Sequence, residues 1–267
     1  HSGDPELVAE LLGLAMDVEL DAQNSMGDSA LMLASGEGHV TVVDLLLSAG
    51  AALDKQDHQG GDALYLACRY GRAEVIPLLT RHGANPNAAT PSGIPMIHVA
   101  VRNAHTQAVH TLLEVGARPD FPSTDGLTPL MAAALASSGQ QAAAEIIESL
   151  LAFGADPAIT NGEKWTALMG AAKVGNAAAA AALLSTAEGM RTAHMQNDRG
   201  QTALMLAARH GRTDATRALL GQYAQSDHYE LAVSELSQLL DVQSARDGRT
   251  ALMLAALHGH AGPVRVL

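Results

Sequence analysis

Apolar and polar positions follow one another along this chain in a pattern that returns about every 33 residues. Each unit opens with a short apolar phrase, such as SALMLASGEGH from Ser29 or TALMLAARHGR from Thr202. In this phrase the Leu and the Ala three residues later share one side of a helix. A second apolar stretch follows, as in RAEVIPLLTRHG from Arg72. The pattern therefore predicts two helices per unit, joined to the next unit by a polar segment rich in Asp, Asn and Gly.

The spacing of the phrase indicates a repeat protein. Its second residue recurs after three steps of 33 residues and then after steps of 38, 36 and 48, at Ala30, Ala63, Met96, Pro129, Ala167, Ala203 and Ala251. Equal steps with matching chemistry are the mark of stacked repeats. The longest step contains YELAVSELSQLL from Tyr229, whose apolar spacing predicts an additional amphipathic turn or helix.

Residues that begin and end helices stand at equivalent places in the units. We expect a side chain just before each phrase to cap the first helix, at Ser29, Asp62, Thr128, Thr166, Thr202 and Thr250. We expect glycines to end the first helix, at Gly38, Gly71, Gly175, Gly211 and Gly259, and the second, at Gly50, Gly83, Gly116 and Gly154. Pro95, Ala104 and Lys164 depart from the pattern, which predicts irregular geometry in the third and fifth repeats.

These units resemble the ankyrin repeat. The resemblance rests on DGLTPL from Asp125, on DGRTAL from Asp247, and on the second-helix endings LLLSAGA, LLTRHGA, LLEVGA and LLAFGA. It implies an all-α ankyrin-repeat solenoid of helix-turn-helix units with projecting hairpin fingers, which form a concave face. Met replaces the family's His in five copies, at Met32, Met131, Met169, Met205 and Met253, so apolar packing should partly replace the polar bonds of that His.

We expect a single solenoid over residues 1–267. Its predicted divisions are a partial repeat 1–20, repeats at 21–53, 54–86, 87–119, 120–156, 157–192 and 193–220, an insertion at 221–240, and a partial repeat 241–267. Because both ends fall inside a repeat, we expect either a longer natural polypeptide or ends that are covered by a partner or by self-association.

Composition and charge limit the classes of partner that the chain can bind. With 16 basic and 28 acidic residues, the net charge is −12, which argues against nucleic acid and anionic membrane surfaces. No stretch reaches the length of a membrane span, and the opening HSGDPELVAE lacks the layout of a signal peptide. These features predict a cytoplasmic protein without membrane insertion, although secretion into a host cell stays open.

Catalytic, cofactor and metal sites are not predicted. The chain has no GxSxG, P-loop or HExxH motif, and His258 and His260 lack the spacing of a zinc site. Cys68, the single cysteine, lies in a repeat phrase on the side that packs, so we expect a buried and inert thiol.

Protein recognition is the function that the residues favour. In the ankyrin family, the finger tips and the ends of the first helices usually contact partners. Four copies place a cation at one equivalent helix end, although such cations also simply favour helix C-termini. The candidate partner-binding residues are Arg69, Tyr70, Arg102, Asn103, Trp165, Lys173, Arg199, Arg209, His210 and Arg249.

The predicted function is therefore a non-enzymatic module that binds a protein, with an acidic epitope, through the concave face. The alternative is a targeting or regulatory arm of a longer multidomain protein, such as a bacterial secreted factor with its activity elsewhere. An enzyme would instead require an enclosed polar pocket with converging titratable groups.

Overall fold

The computed structural model describes residues 4–6, 9–10, 19–136, 139–224 and 229–267, with the main chain alone for 222–224 and 229–233. The chain divides into two compact units, residues 1–124 and 125–267. Within the described ranges the regular structure is helical, apart from one isolated β-bridge between Ala89 and Pro95. The all-α fold expected from the sequence is confirmed.

In residues 19–124 the first unit has three helix pairs, one for each repeat after the N-terminal segment. They are α1 (Ala30–Glu37) with α2 (Val40–Ser48), α3 (Ala63–Arg69) with α4 (Ile76–Arg81), and α5 (Met96–Arg102) with α6 (Thr106–Glu114). The first helices pack side by side in the order α1, α3, α5, and the second helices in the order α2, α4, α6.

The described part of the second unit has four such pairs and two additional helices. The pairs are α7 (Pro129–Ala134) with α8 (Gln140–Ala152), α9 (Ala167–Val174) with α10 (Ala177–Leu184), α12 (Ala203–Arg209) with α13 (Thr213–Ala224), and α15 (Ala251–Leu257) with α16 (Ala261–Val266). The additional helices are α11 (Ala187–Thr192) and α14 (Tyr229–Asp241). The helix predicted in the insertion is thus α14, and the extra residues near Thr186 form α11.

All six predicted N-caps accept a hydrogen bond from the main-chain N–H three residues later. The acceptors are the side chains of Ser29, Asp62, Thr128, Thr166, Thr202 and Thr250. Pro95 makes no such bond at the start of α5. Because a missing cap costs about 1 kcal/mol, the third repeat begins its first helix less favourably than the others.

The two residues that replace glycine take the conformation of the glycine. Ala104 has φ of 57° and Lys164 has φ of 58°, whereas Gly71 at the place equivalent to Ala104 has φ of 69°. The chain therefore follows the same path at both places as the repeats that have glycine there, and the expected irregularity takes the form of local backbone strain. The glycines predicted to end the second helices all have positive φ.

Methionine replaces the family histidine inside the core. Met32, Met131, Met169 and Met205 are at most 2% exposed, as expected for apolar packing, whereas Met253 of the last pair is 54% exposed. His98 keeps the histidine of the family, and its Nε2 donates to the Phe121 carbonyl at 2.8 Å.

A recurring set of hydrogen bonds between successive repeats comes from the residue that follows the glycine, or Ala104, at the end of the first helix. Arg72 Nε donates to the Gly36 carbonyl at 2.8 Å, and His105 Nε2 to the Arg69 carbonyl at 2.9 Å. The second unit has equivalent bonds from Asn176 to Ala136, from Arg212 to Lys173 and from His260 to Arg209. These five contacts hold the C-terminal ends of α1, α3, α7, α9 and α12 against the repeat that follows each of them.

Candidate partner-binding grooves

In the first unit, the predicted residues at the helix ends surround an aromatic pair. The Arg69 guanidinium lies 5.9 Å from the centroid of the Tyr65 ring and 5.7 Å from that of Tyr70. Arg69 Nη1 also donates to the Tyr65 hydroxyl at 3.3 Å. Tyr70 is 50% exposed, so its ring presents an open aromatic face beside a cation. Such a pair suits binding of carboxylate and apolar groups together.

Next to this pair lies a groove of about 240 Å³. It joins the fingers of the second and third repeats to the end of α5, and is lined by Gln59, Gly60, Gly61, Tyr65, Thr90, Ser92, Ile94, Val99, Arg102 and Asn103. Asn103 Nδ2 donates to the Val99 carbonyl at 2.8 Å, which fixes one side of the groove. Gly61 makes room for Tyr65, because a Cβ at this position would lie 2.5 Å from the Tyr65 ring.

In the second unit, Trp165 and Lys173 form the wall of a mainly apolar groove of about 190 Å³. The Lys173 ammonium lies 5.0 Å from the centroid of the Trp165 ring. The main-chain N–H of Trp165 donates to Asn161 Oδ1 at 2.9 Å, so the finger backbone sets the place of the ring. The remainder of the lining consists of Leu127, Met131, Leu135, Asn161, Glu163, Thr166 and Gly170. The groove can therefore receive one apolar side chain beside a cation.

A third groove, of about 260 Å³, collects three of the predicted arginines. We call it the arginine groove; it is lined by Arg199, Gln201, Arg209, Ser244, Arg246, Asp247, Arg249, Leu254 and His258. Arg199 and Arg249 come from successive fingers, and Arg209 and His258 follow at the ends of α12 and α15. The repeat thus brings together residues that lie 50 positions apart in the sequence.

One of these arginines already has an acidic partner. Arg249 Nη1 lies 2.9 Å from Asp247 Oδ2. The pKa of Asp247 is lowered, first by the hydrogen bond from the Ser244 hydroxyl and further by the main-chain N–H and the charge of Arg249. Asp247 therefore stays ionised at neutral pH and neutralises one cation of the groove.

The pKa of His210 reflects the positive charges around it. Its pKa is lowered, first by burial and then by the charges of Arg209, Lys173 and Arg212. A histidine that faces several cations binds its proton less readily, so His210 is neutral at pH 7. The cations of the fifth and sixth repeats consequently act on the same region of the second unit.

Several lining residues were not among the predicted site residues. Tyr65 stands at the position of the family histidine and was therefore interpreted as a structural residue. Leu135 and Gly170 belong to the apolar sequences of the first helices. Arg246 and Gln201 lie in fingers beside predicted positions, and a count of all polar finger residues would have found them. Cys68 is buried, and burial raises the pKa of its thiol, as expected for an inert cysteine.

Comparison with known proteins agrees with the repeat architecture. A family model described as ankyrin repeats (3 copies) matches residues 1–90, 97–185 and 135–231. The chain belongs to the ankyrin-repeat family. Proteins of this family are generally protein–protein interaction modules.

Among solved structures, the chain is similar to the crystal structure of EF0377, an ankyrin repeat protein. The TM-score is 0.62 at 24% sequence identity, over 68% of this chain and 92% of that one. The likeness concerns the fold. None of the curated proteins matches the chain significantly. Within the described ranges, no helix has the length and apolar character needed to cross a membrane.

Proposed function

We propose that this chain is a non-enzymatic module that binds a protein with an acidic epitope. The contact surface is formed by the finger tips and the ends of the first helices, which line the concave face of an ankyrin stack. The observation that carries the proposal is the arginine groove, in which cations from these two kinds of position meet in a chain with a net charge of −12.

The character of the grooves supports recognition of a polypeptide. Tyr70, Trp165 and several arginines are exposed or half-buried, and these residue types dominate binding energies at protein interfaces. Each unit offers an aromatic ring beside a cation, at Arg69 with Tyr70 and at Lys173 with Trp165. Grooves of this kind fit apolar side chains flanked by carboxylates, and their fixed backbone reduces the entropy lost on binding.

The test compares two triple variants of the intact chain against a partner obtained by affinity capture. In the first, Arg69, Arg102 and Arg209 are replaced by Ala. We expect binding to weaken by at least ~2 kcal/mol, which is a loss of about thirtyfold in affinity. The loss follows from removing three cations that face the acidic epitope.

The control replaces Arg81, Arg191 and Arg217 by Ala, three exposed arginines that lie on second or additional helices. Both variants have the same net charge, −12 − 3 = −15, so a general electrostatic effect would weaken both equally. Circular dichroism checks that both remain folded. Equal affinities of the first variant and the unchanged chain would reject the assignment of this surface.

A further inference from the structure

We propose that the arginine groove binds a phosphorylated side chain of the protein partner. The inference rests on the proposed function and specifies the chemistry of one contact within it. It concerns four arginines together with Gln201 and His258, which line one groove of the second unit.

The charges in the groove exceed what a carboxylate can neutralise. Among the residues that the structure describes, Arg249 is paired with Asp247, whereas Arg199, Arg209 and Arg246 make no ion pair. Four arginines and one aspartate leave a formal charge of +4 − 1 = +3. A carboxylate would reduce this charge to +2, and a phosphate monoester, with a charge of about −2 at pH 7, would reduce it to about +1.

The donors of the groove also suit the geometry of phosphate. A guanidinium presents paired N–H groups that match two oxygens at once, and a phosphate monoester offers three such oxygens. The arginines come from different parts of the fold, because Arg199 and Arg246 belong to fingers whereas Arg209 ends a helix. Gln201, only 6% exposed, adds a neutral amide to the wall. Leu254 is the one aliphatic residue of the lining.

The main chain that carries these arginines is held in place without a ligand. The Arg209 carbonyl accepts a hydrogen bond from His260 Nε2 at 3.1 Å, from the following repeat. The N–H of Arg199 donates to Asn197 Oδ1 at 3.0 Å, within its own finger. Binding of phosphate then has to order the side chains alone, which lowers its entropic cost.

A phosphate on a protein fits better than one on a nucleic acid or a lipid bilayer. Nucleic acids and anionic membranes present many negative charges over a long distance, and this chain has a net charge of −12. A single phosphorylated residue on an exposed loop brings a local charge into the groove. Salt screens more distant repulsion over about 8 Å at physiological ionic strength.

The experiment is an NMR titration of the intact ¹⁵N-labelled chain in a phosphate-free buffer, observing the arginine Nε–Hε resonances. The main probes are N-acetyl-phosphoserine N-methylamide and N-acetyl-glutamate N-methylamide, which differ in the acidic group. We expect the phosphoserine probe to bind at least tenfold more tightly and to shift Arg199, Arg209 and Arg246. Inorganic phosphate, inositol trisphosphate and a short oligouridylate test the other sources of phosphate, and each should bind more weakly than phosphoserine.

Two variants locate the site. Arg209→Ala, and separately the double variant Arg199→Ala with Arg246→Ala, should each weaken phosphoserine binding at least tenfold. Arg217→Ala is the matched control, because this exposed arginine lies on α13 and pairs with Asp214. It should leave the affinity unchanged. Arg209→Lys retains the charge without the paired N–H groups and should fall between the unchanged chain and Arg209→Ala.

Several results would overturn the proposal. They are equal binding of the glutamate and phosphoserine probes, absence of saturable binding, tighter binding of any of the other three phosphates, or binding that the Arg209 variant retains. These outcomes are separate from those that test the proposed function. A captured partner that depends on Arg209 but is indifferent to phosphatase treatment would reject the phosphate contact and leave the acidic-epitope contact standing.

Discussion

Ala104 is a residue at which glycine should stabilise the chain. Its φ of 57° places an L-residue in the left-handed region, which costs about 1–2 kcal/mol because Cβ approaches the following carbonyl oxygen. The side chain is exposed, so its removal sacrifices no core packing. Glycine instead loses about 0.5–1 kcal/mol more in backbone entropy on folding. The difference predicts that Ala104→Gly raises the free energy of unfolding by about 0.5–1 kcal/mol.

The reverse change at the equivalent place in the preceding repeat provides the comparison. Gly71 has φ of 69°, and a Cβ there would lie 2.6 Å from Nδ1 of His105. Gly71→Ala therefore adds a steric conflict to the same backbone cost, and should destabilise by at least about 2 kcal/mol. Ala256→Gly, at an exposed position within α15, should cost about 1 kcal/mol as an ordinary helical substitution.

Urea unfolding followed by circular dichroism measures these three variants, and calorimetry should show Ala104→Gly raising Tm by about 2–4 °C for each kcal/mol. Repeat arrays do not always unfold in one step, so amide hydrogen exchange in α5 and α6 should confirm that the gain is local. If Ala104→Gly destabilised the chain as Ala256→Gly does, the left-handed strain at Ala104 would be refuted.

Three further substitutions or reagents test the contacts described above. His105→Ala removes the hydrogen bond to the preceding repeat and should cost about 1 kcal/mol in urea unfolding, whereas His110→Ala, which removes a surface contact with Glu114, should change stability by less than about 0.5 kcal/mol. The Cys68 thiol is buried with a raised pKa, so a thiol reagent at pH 8 should modify it only after urea is added, and fast labelling of the native chain would contradict its burial. Lys173→Ala uncovers Trp165, the single tryptophan, so acrylamide should quench its fluorescence more strongly; unchanged quenching would disprove the stacked arrangement.

Much of the fold could be predicted from the sequence, because each position of one repeat can be compared with the equivalent positions of the others. Caps such as Thr202 and stops such as Gly175 are local, and their chemistry is visible in a few neighbouring residues. The bond from Arg72 to the previous repeat could not be predicted in this way. It joins atoms 36 positions apart, and a charged residue after a glycine has no pattern that distinguishes a structural side chain from a solvated one.

The sequence predicted which residues of the site lie at the surface, but not which of them meet in one groove. Arg209 and Arg249 were both expected at the surface, but their meeting in one groove depends on how far each finger projects beyond its helix. Arg246 was missed although Arg249 of the same finger was predicted, because Arg246 lies three residues before the position that the repeat marks as the finger tip. Tyr65 was missed because a position that packs in most repeats here also lines a groove.

The bonds between repeats bear on the recognition role that we propose for the cations at the ends of the first helices. The carbonyls of Arg69, Lys173 and Arg209 each accept a hydrogen bond from the following repeat, so the backbone of each cation is fixed by its neighbour. Their charged ends are not used in these bonds. Lys173 and Arg209 thus contribute their main chain to the stack and their side chain to a groove, and the Arg69 side chain lies beside Tyr65 and Tyr70. Since only rotamer freedom would have to be lost when the proposed partner binds, we expect a cation at this position to contribute more to affinity than an equally exposed arginine in a loop. The residues that donate these bonds, among them His105 and His260, would therefore influence partner affinity through the backbone that they hold.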